Sequence, residues 1–211
     1  MYRSFFKRSF DLLLAVSLII LFSPVIITVT LILWKTAHKK PFFFQERPGR
    51  YEKIFRIVKF KTMNDQTDVD GNLLPDAERL TSVGAFLRKT SLDELPQLFN
   101  VVKGEMSFIG PRPLLKRYLP YYTAQERLRH SVRPGITGLA QVSGRNFLPW
   151  NERLQMDVDY VQSMSLVNDL RIILLTVKNV VSRKDIEVVP DSKMLDLETY
   201  RKQGSRNYFV G

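Results

Sequence analysis

Residues 12–34 read LLLAVSLIILFSPVIITVTLILW, 23 positions without a charged side chain, interrupted only by Ser17, Ser23, Thr28 and Thr30. As an α-helix rising about 1.5 Å per residue, this run is long enough to cross a hydrocarbon layer about 30 Å thick. A cleaved signal peptide is disfavoured, because the run exceeds the usual apolar core of about 7 to 15 residues and no small-x-small cleavage site follows Trp34. Pro24 sits at the middle, where it removes the backbone bond to the Ile20 carbonyl and bends the helix, and the Ser23 hydroxyl is available to satisfy what is freed. Arg3, Lys7 and Arg8 precede the run and Lys35, Lys39 and Lys40 follow it, so the positive-inside tendency draws both ends to the cytoplasmic face. Residues 12–23 make about 18 Å of helix, little more than half of the hydrocarbon depth. Two arrangements satisfy these facts: a helix that enters, turns at Ser23-Pro24 and returns, and a kinked helix that crosses once.

The whole chain has 211 residues, 45% of them hydrophobic, which is enough for one sizeable core, and no Gly/Ser/Pro-rich linker divides it. Its 32 Lys and Arg against 21 Asp and Glu leave a net charge of +11, which favours polyanionic partners: nucleic acid, anionic lipid or phosphorylated substrates. With no cysteine there is neither a disulfide framework nor a Cys-ligated metal site.

Beyond the apolar run, residues 42–46 and 53–62 read as a hairpin turning at Arg47, Pro48 and Gly49. On its second strand Phe55, Ile57, Lys59 and Lys61 share one face, an apolar face ending in two ammonium groups, for which a solvated strand end is the plain reading. The acidic loop 65–78 fails the EF-hand pattern, since Gln66 and Ala77 fall where the first and twelfth ligands would be. Helical signals follow at 81–89, 92–102, 123–129 and 151–162. A more apolar helix over 169–181 places Leu170, Ile173, Leu174, Val177 and Val181 at core spacing. The fold class is mixed, helix-rich α/β.

There is no GxxxxGK[ST] loop and no GxGxxG after a strand, which argues against P-loop and Rossmann mechanisms. His38 and His130 are the only histidines, too few for a multi-histidine metal site, and both read as surface or packing residues. Chemistry is better sought at residues 91–96, SLDELP, where Pro96 fixes a helix start and sets Asp93 and Glu94 at its positive end. A capping box between Ser91 and Glu94 accounts for the same spacing. Against capping alone stand the cations Lys59, Lys61, Arg88, Arg112, Arg133 and Arg145, beside turn or helix-end residues. Arg112 is stiffened by Pro111 and Pro113, and Arg133 precedes Pro134-Gly135. Rigid loops presenting guanidinium groups suit bidentate phosphate recognition. An Asp near cations stays deprotonated at neutral pH, as a carboxylate nucleophile must, and a neighbouring Glu is placed to hold a hard cation such as Mg²⁺.

These blocks resemble the bacterial sugar transferases, the monotopic polyprenyl-phosphate phosphoglycosyl transferases. The resemblance runs through Lys59-Phe60-Lys61-Thr62-Met63, SLDELPQLFN at 91–100, MSFIGPRP at 106–113, RPGITG at 133–138 and Gly144-Arg145-Asn146, in family order over roughly residues 1–183. It implies a re-entrant membrane helix broken at Ser23-Pro24 within residues 1–40, a cytoplasm-facing catalytic domain over 41–185, and a C-terminal tail over 186–211. It further implies an inner-membrane address, Mg²⁺ dependence and a two-step reaction. Asp93 would attack the sugar-bearing phosphate of a UDP-sugar, releasing UMP, and undecaprenyl phosphate would then take the phosphosugar. Glu94 would assist metal binding with Asp93; Lys59, Arg88 and Arg112 would contact phosphate, with Arg133 and Arg145 in nucleotide or phosphate binding and Asp157 and Asp169 in site support. The short form resembles initiators of N-linked protein glycosylation, which implies an N-acetylated donor such as UDP-N,N′-diacetylbacillosamine and no nucleic-acid partner. Two rivals remain: a non-catalytic membrane-anchored module binding anionic lipid or nucleic acid, and a glycosyltransferase that releases UDP.

Overall fold

The structure is a computed structural model describing residues 2–36, 39–144, 148–182 and 195–203. After a π-helical turn, Tyr2–Phe6, the apolar run forms one helix, α1 (Lys7–Thr36), with Pro24 inside it. From its residues this run allowed either a helix that turns at Ser23-Pro24 or one that kinks there and crosses once; helical backbone runs through the point. The reason lies in one bond: the Ser23 hydroxyl donates to the Ile20 carbonyl at 2.8 Å, the acceptor that Pro24 leaves without its backbone donor.

Both halves of α1 are fastened to the same body of protein. Near its start Lys7 meets Asp169 at 2.7 Å, Arg8 donates to the Val101 and Val102 carbonyls, and Asp11 accepts from the Phe108 amide. Ala15 packs with Phe55, Ile57, Val101 and Met106, whereas Ile26, Val29 and Leu33 pack with Phe60 and Leu87. Between and around these contacts Leu13, Ile20, Leu21, Ile27 and Leu31 are all more than half exposed. One side of the helix is thus held by the domain, while a long apolar side is exposed among the described residues.

The hairpin forms as β1 (Phe42–Pro48) and β2 (Ile54–Phe60), antiparallel, with Phe42 opposite Phe60. Its turn lies three residues later than the sequence indicated, at 49–53, because Arg47 and Pro48 pair with Phe55 and Ile54. The reversal is closed by the Gly49 amide on the Lys53 carbonyl and uses left-handed backbone at Tyr51 and Glu52, residues that carry no turn signal. A short helix, α2 (Asp76–Arg79), precedes α3 (Ser82–Lys89), which is capped by the Thr81 side chain accepting from the Gly84 amide. A Cβ at Gly84 would lie 1.9 Å from the Thr62 carbonyl oxygen, so only glycine lets α3 press against the end of the hairpin.

Next come α4 (Gln97–Lys103) and a small parallel pair, β3 (Ser107–Ile109) with β4 (Gly135–Thr137). A Cβ at Gly135 would meet the Gly110 amide nitrogen at 2.2 Å. The MSFIGPRP and RPGITG blocks are therefore pressed backbone to backbone. Then follow α5 (Leu139–Ser143), α6 (Trp150–Ser163), α7 (Leu166–Val181) and α8 (Leu197–Gln203). Residues of the expected C-terminal tail join the core, since Leu197 and Tyr200 are buried with Trp150, Leu154, Tyr118 and Tyr122.

Of the five α7 residues expected in the core, only Ile173 packs against it. Leu170, Leu174, Val177 and Val181 are 46%, 71%, 56% and 78% exposed, whereas Asp169 and Ile172 face inward. The inward side is taken by Asp169, which binds Lys7, Tyr2 and Tyr160, so the periodic apolar face is turned outward.

Candidate active site

Lys59 is carried by β2, Arg88 by the last turn of α3, and Asp93 and Glu94 by a 3₁₀ turn, Leu92–Glu94, between α3 and α4. Ser91 enters that turn in the left-handed region (φ 57°) and its side chain makes no capping bond, so the capping box is absent. Helix α4 begins only after Pro96, leaving the two carboxylates in the preceding turn, free of a capping role.

Glu94 is gripped from two sides. Its Oε1 accepts from Lys59 Nζ at 2.6 Å and from Arg112 Nη2 at 2.8 Å. Asp93 Oδ2 stands farther from Lys59 Nζ, at 3.8 Å. Lys59 thus belongs to the site and is no solvated strand end. Arg88 donates from Nε to the Thr62 hydroxyl at 3.1 Å and shares an electrostatic interaction with Asp93.

The electrostatics separate the two acids. Burial, reinforced by the Glu94 charge, pushes the Asp93 carboxyl up to about 6, against the pull of Lys59, Arg112 and Arg88. Burial works against ionisation of Glu94 too, but Arg112 and Lys59 overcome it and hold Glu94 well below the usual carboxylate range. Asp93 is therefore raised by its surroundings, where the sequence pointed only to stabilised charge, yet it remains ionised in most molecules at neutral pH.

Behind Arg112 lies a support of which sequence reasoning had Asp157 but missed Arg129. Buried Arg129 donates from Nε and Nη2 to Asp157 Oδ2 at 3.0 and 2.8 Å, and from Nη2 to the Arg112 carbonyl at 2.6 Å. Pro111 is also tied, its carbonyl accepting from the Gly135 amide at 3.0 Å, and Pro113 follows on the other side of Arg112. Asp157 therefore supports the site through Arg129. His130, beside it, is buried against Tyr122 as a packing residue.

Two expected site residues lie elsewhere. Arg133 donates to the Gly104 carbonyl at 2.8 Å, at the end of α4 opposite Asp93 and Glu94. Asp169 ties α7 to the first turns of α1, holding the helix anchor in place of the carboxylate cluster. Arg145 and His38 fall outside the described residues.

No group of three His, Asp or Glu side chains placed for a metal ion occurs among the described residues. Asp93 and Glu94 have the oxygen donors that a hard divalent cation takes, and Mg²⁺ is commonly held by one or two carboxylates with substrate phosphates and waters supplying the rest.

A carboxylate pair held between cations, beside an apolar helix, defines a site for a phosphorylated substrate. The chain belongs to the bacterial sugar transferase family, whose model matches residues 2–183. It is 47% identical to the uncharacterized sugar transferase EpsL of Bacillus subtilis, over 86% of this chain and 90% of that protein. It is 38% identical to the UDP-glucose:undecaprenyl-phosphate glucose-1-phosphate transferase of Caulobacter vibrioides, over 83% of this chain and 70% of that one. Identity with the undecaprenyl-phosphate galactose phosphotransferase of Salmonella typhimurium is 39% over 86% of this chain, which spans only 41% of that relative's length.

Proposed function

We propose that this chain moves a sugar-1-phosphate from a UDP-sugar to undecaprenyl phosphate, releasing UMP, with Asp93 as a covalent nucleophile. The observation that carries this reading is the division of labour between neighbouring acids: Lys59 and Arg112 take Glu94 at 2.6 and 2.8 Å, while Asp93 stands back at 3.8 Å from Lys59. The names of the Caulobacter and Salmonella relatives support the donor and acceptor classes.

An Asp93 carboxylate oxygen attacks the sugar-linked phosphorus of the UDP-sugar. The new O–P bond forms as the bond from that phosphorus to the bridging oxygen breaks, and the bridging oxygen leaves with its electron pair on UMP. A phosphate oxygen of undecaprenyl phosphate then attacks the same phosphorus, and the Asp93 carboxylate departs. Lys59, Arg88 and Arg112 orient the diphosphate and offset its charge. Asp93 and Glu94 would hold Mg²⁺ jointly with the diphosphate, an ion that supplies Lewis-acid neutralisation of charge on the leaving group.

The enzyme works on one membrane face, with α1 re-entrant and the catalytic domain cytoplasmic. Support comes from the attachment of both halves of α1 to one domain: a helix crossing the bilayer would carry its two ends to opposite sides. The donor is an N-acetylated UDP-sugar, with UDP-N,N′-diacetylbacillosamine the leading candidate, and the reaction opens glycoconjugate or N-linked glycoprotein assembly.

Mass spectrometry of the protein after mixing with Mg²⁺ and a panel of UDP-sugars, without lipid acceptor, tests the covalent step. A phosphosugar on Asp93 with one equivalent of UMP is expected. Its absence for a donor that turns over when lipid is present would overturn the scheme, and release of UDP would indicate a glycosyltransferase.

A further inference from the structure

Between the last turn of α1 and the first turn of α3 lies a cavity of about 240 Å³. Leu33 and Thr36 of α1, Met63, and Val83 of α3 contribute to its walls, and Lys61 and Asp65 stand at it as charged groups. The carboxylates of the active-site turn do not line it. Its chemistry is divided: apolar side chains on walls that include the membrane helix, and an ammonium group carried by the strand line that leads to the active site.

Position gives this division its meaning. Lys61 follows Lys59 by two residues, one past the end of β2, and its amide donates to the Pro41 carbonyl. Residues two apart in extended backbone lie about 7 Å apart, which keeps Lys61 near the lysine that grips Glu94. Thr62 between cavity and active site is fixed: its carbonyl accepts from the Thr81 amide and hydroxyl, and its hydroxyl accepts from Arg88, whose charge acts on Asp93. Cavity and nucleophile thus share one rigid partition.

We propose that this cavity seats the acceptor lipid, with the first isoprene units of a prenyl phosphate against Leu33, Met63 and Val83 and the phosphate at Lys61, on the Asp93 side. The inference rests on the transfer reaction proposed above. Size agrees, because a dry apolar cavity of about 150 Å³ already takes up benzene. Lys61 is engaged by Asp65, whose side chain is more than half exposed. Such a pair contributes little, and a phosphate dianion displaces it. Because Leu33 and Thr36 of α1 line the cavity, a lipid chain seated there would continue along that helix.

A photoreactive geranylgeranyl phosphate with a diazirine in its first isoprene unit tests the site on the full chain in nanodiscs. Cross-links are expected on peptides containing Met63 or Val83, to be suppressed by excess undecaprenyl phosphate and left intact by excess phosphatidylglycerol. Val83→Trp, which fills the cavity, and Lys61→Met, which removes the cation, are each expected to lower labelling about tenfold with thermal unfolding unchanged. Competition by phosphatidylglycerol would make this an ordinary lipid site and overturn the proposal. Specific labelling at some other position would also overturn it while leaving the transfer reaction standing. No labelling that undecaprenyl phosphate suppresses, at any position, would remove the acceptor assignment itself.

Discussion

The Arg129 guanidinium donates to the Arg112 backbone carbonyl across 2.6 Å while its other contacts grip the Asp157 carboxylate. Arg112 in turn reaches Glu94 at 2.8 Å. A buried ion pair thereby sets the backbone from which an active-site cation extends, with Pro111 and Pro113 limiting how that backbone can relax.

Asp157→Ala leaves the Arg129 charge buried without its carboxylate, a change that costs about 3 to 5 kcal/mol for pairs of this kind. Thermal unfolding should fall accordingly. Asp157→Asn, which keeps a hydrogen-bond acceptor, is expected to retain more stability yet still lower kcat as Arg112 loosens. Parent-like stability in Asp157→Ala would show that the pair bears no strain of the fold.

The Asp93 carboxyl, pushed up to about 6 from its ordinary 3.8 by burial and by Glu94, gives two linked expectations. Only the deprotonated form attacks phosphorus, so single-turnover UMP release should rise about tenfold between about pH 5 and about pH 7. A raised carboxyl pKa means that the native state binds the proton more tightly than the unfolded chain. Its contribution to stability is therefore largest at low pH and declines as pH rises from about 4 through about 6. Asp93→Asn removes a carboxylate that is penalised when charged. The variant, inactive in UMP release, should melt above the parent at about pH 8, with the difference shrinking by about pH 5; a pH-independent difference would refute buried ionisation as its cause.

These relationships were unequally legible in the sequence. The two-residue period of β2 correctly put Phe55, Ile57 and Lys59 on one face, because strand geometry fixes alternation locally. The Ser23 hydroxyl bond to Ile20 was legible for the same local reason. Arg129 and Asp157, 28 residues apart, meet only through the packing of α6, and no spacing announces that contact. On α7 the periodicity identified one apolar face but could not say what covers it, since helical spacing is the same whether a stripe meets protein or lipid. The turn at 49–53 was misplaced because Tyr51 and Glu52 adopt left-handed backbone that their side chains do not favour.

Topology has a direct test in a chain that contains no cysteine. Single cysteines replacing Phe5 and Lys40, on either side of α1, should both react with a membrane-impermeant maleimide only when the cytoplasmic face is open. Pro24→Ala restores the missing backbone donor opposite Ile20 and favours a straight helix. It is expected to move a fraction of position-40 cysteines to the opposite side. Labelling of the parent chain's two positions from opposite faces would establish a single crossing.

The outward stripe of α7 makes a separate demand on the membrane. Val167, Leu170, Leu174, Val177 and Val181 fall within about 100° of arc at 100° per residue, and Arg171 and Lys178 are exposed along one border. The helix starts where α1 starts, because Lys7 and Tyr2 both bind Asp169. A bilayer that receives α1 therefore lies within reach of the α7 stripe, where apolar side chains gain by leaving water and the bordering cations meet anionic head groups. A bimane label on a cysteine at Leu174 or Val177 should be quenched by brominated lipids in nanodiscs, whereas a label at exposed Gln155 on α6 should not. Quenching absent at both α7 positions, with the labels shielded from water-soluble quenchers, would assign the stripe to contact between protein copies. Labels open to water at both positions would leave it uncovered and set α7 clear of the bilayer.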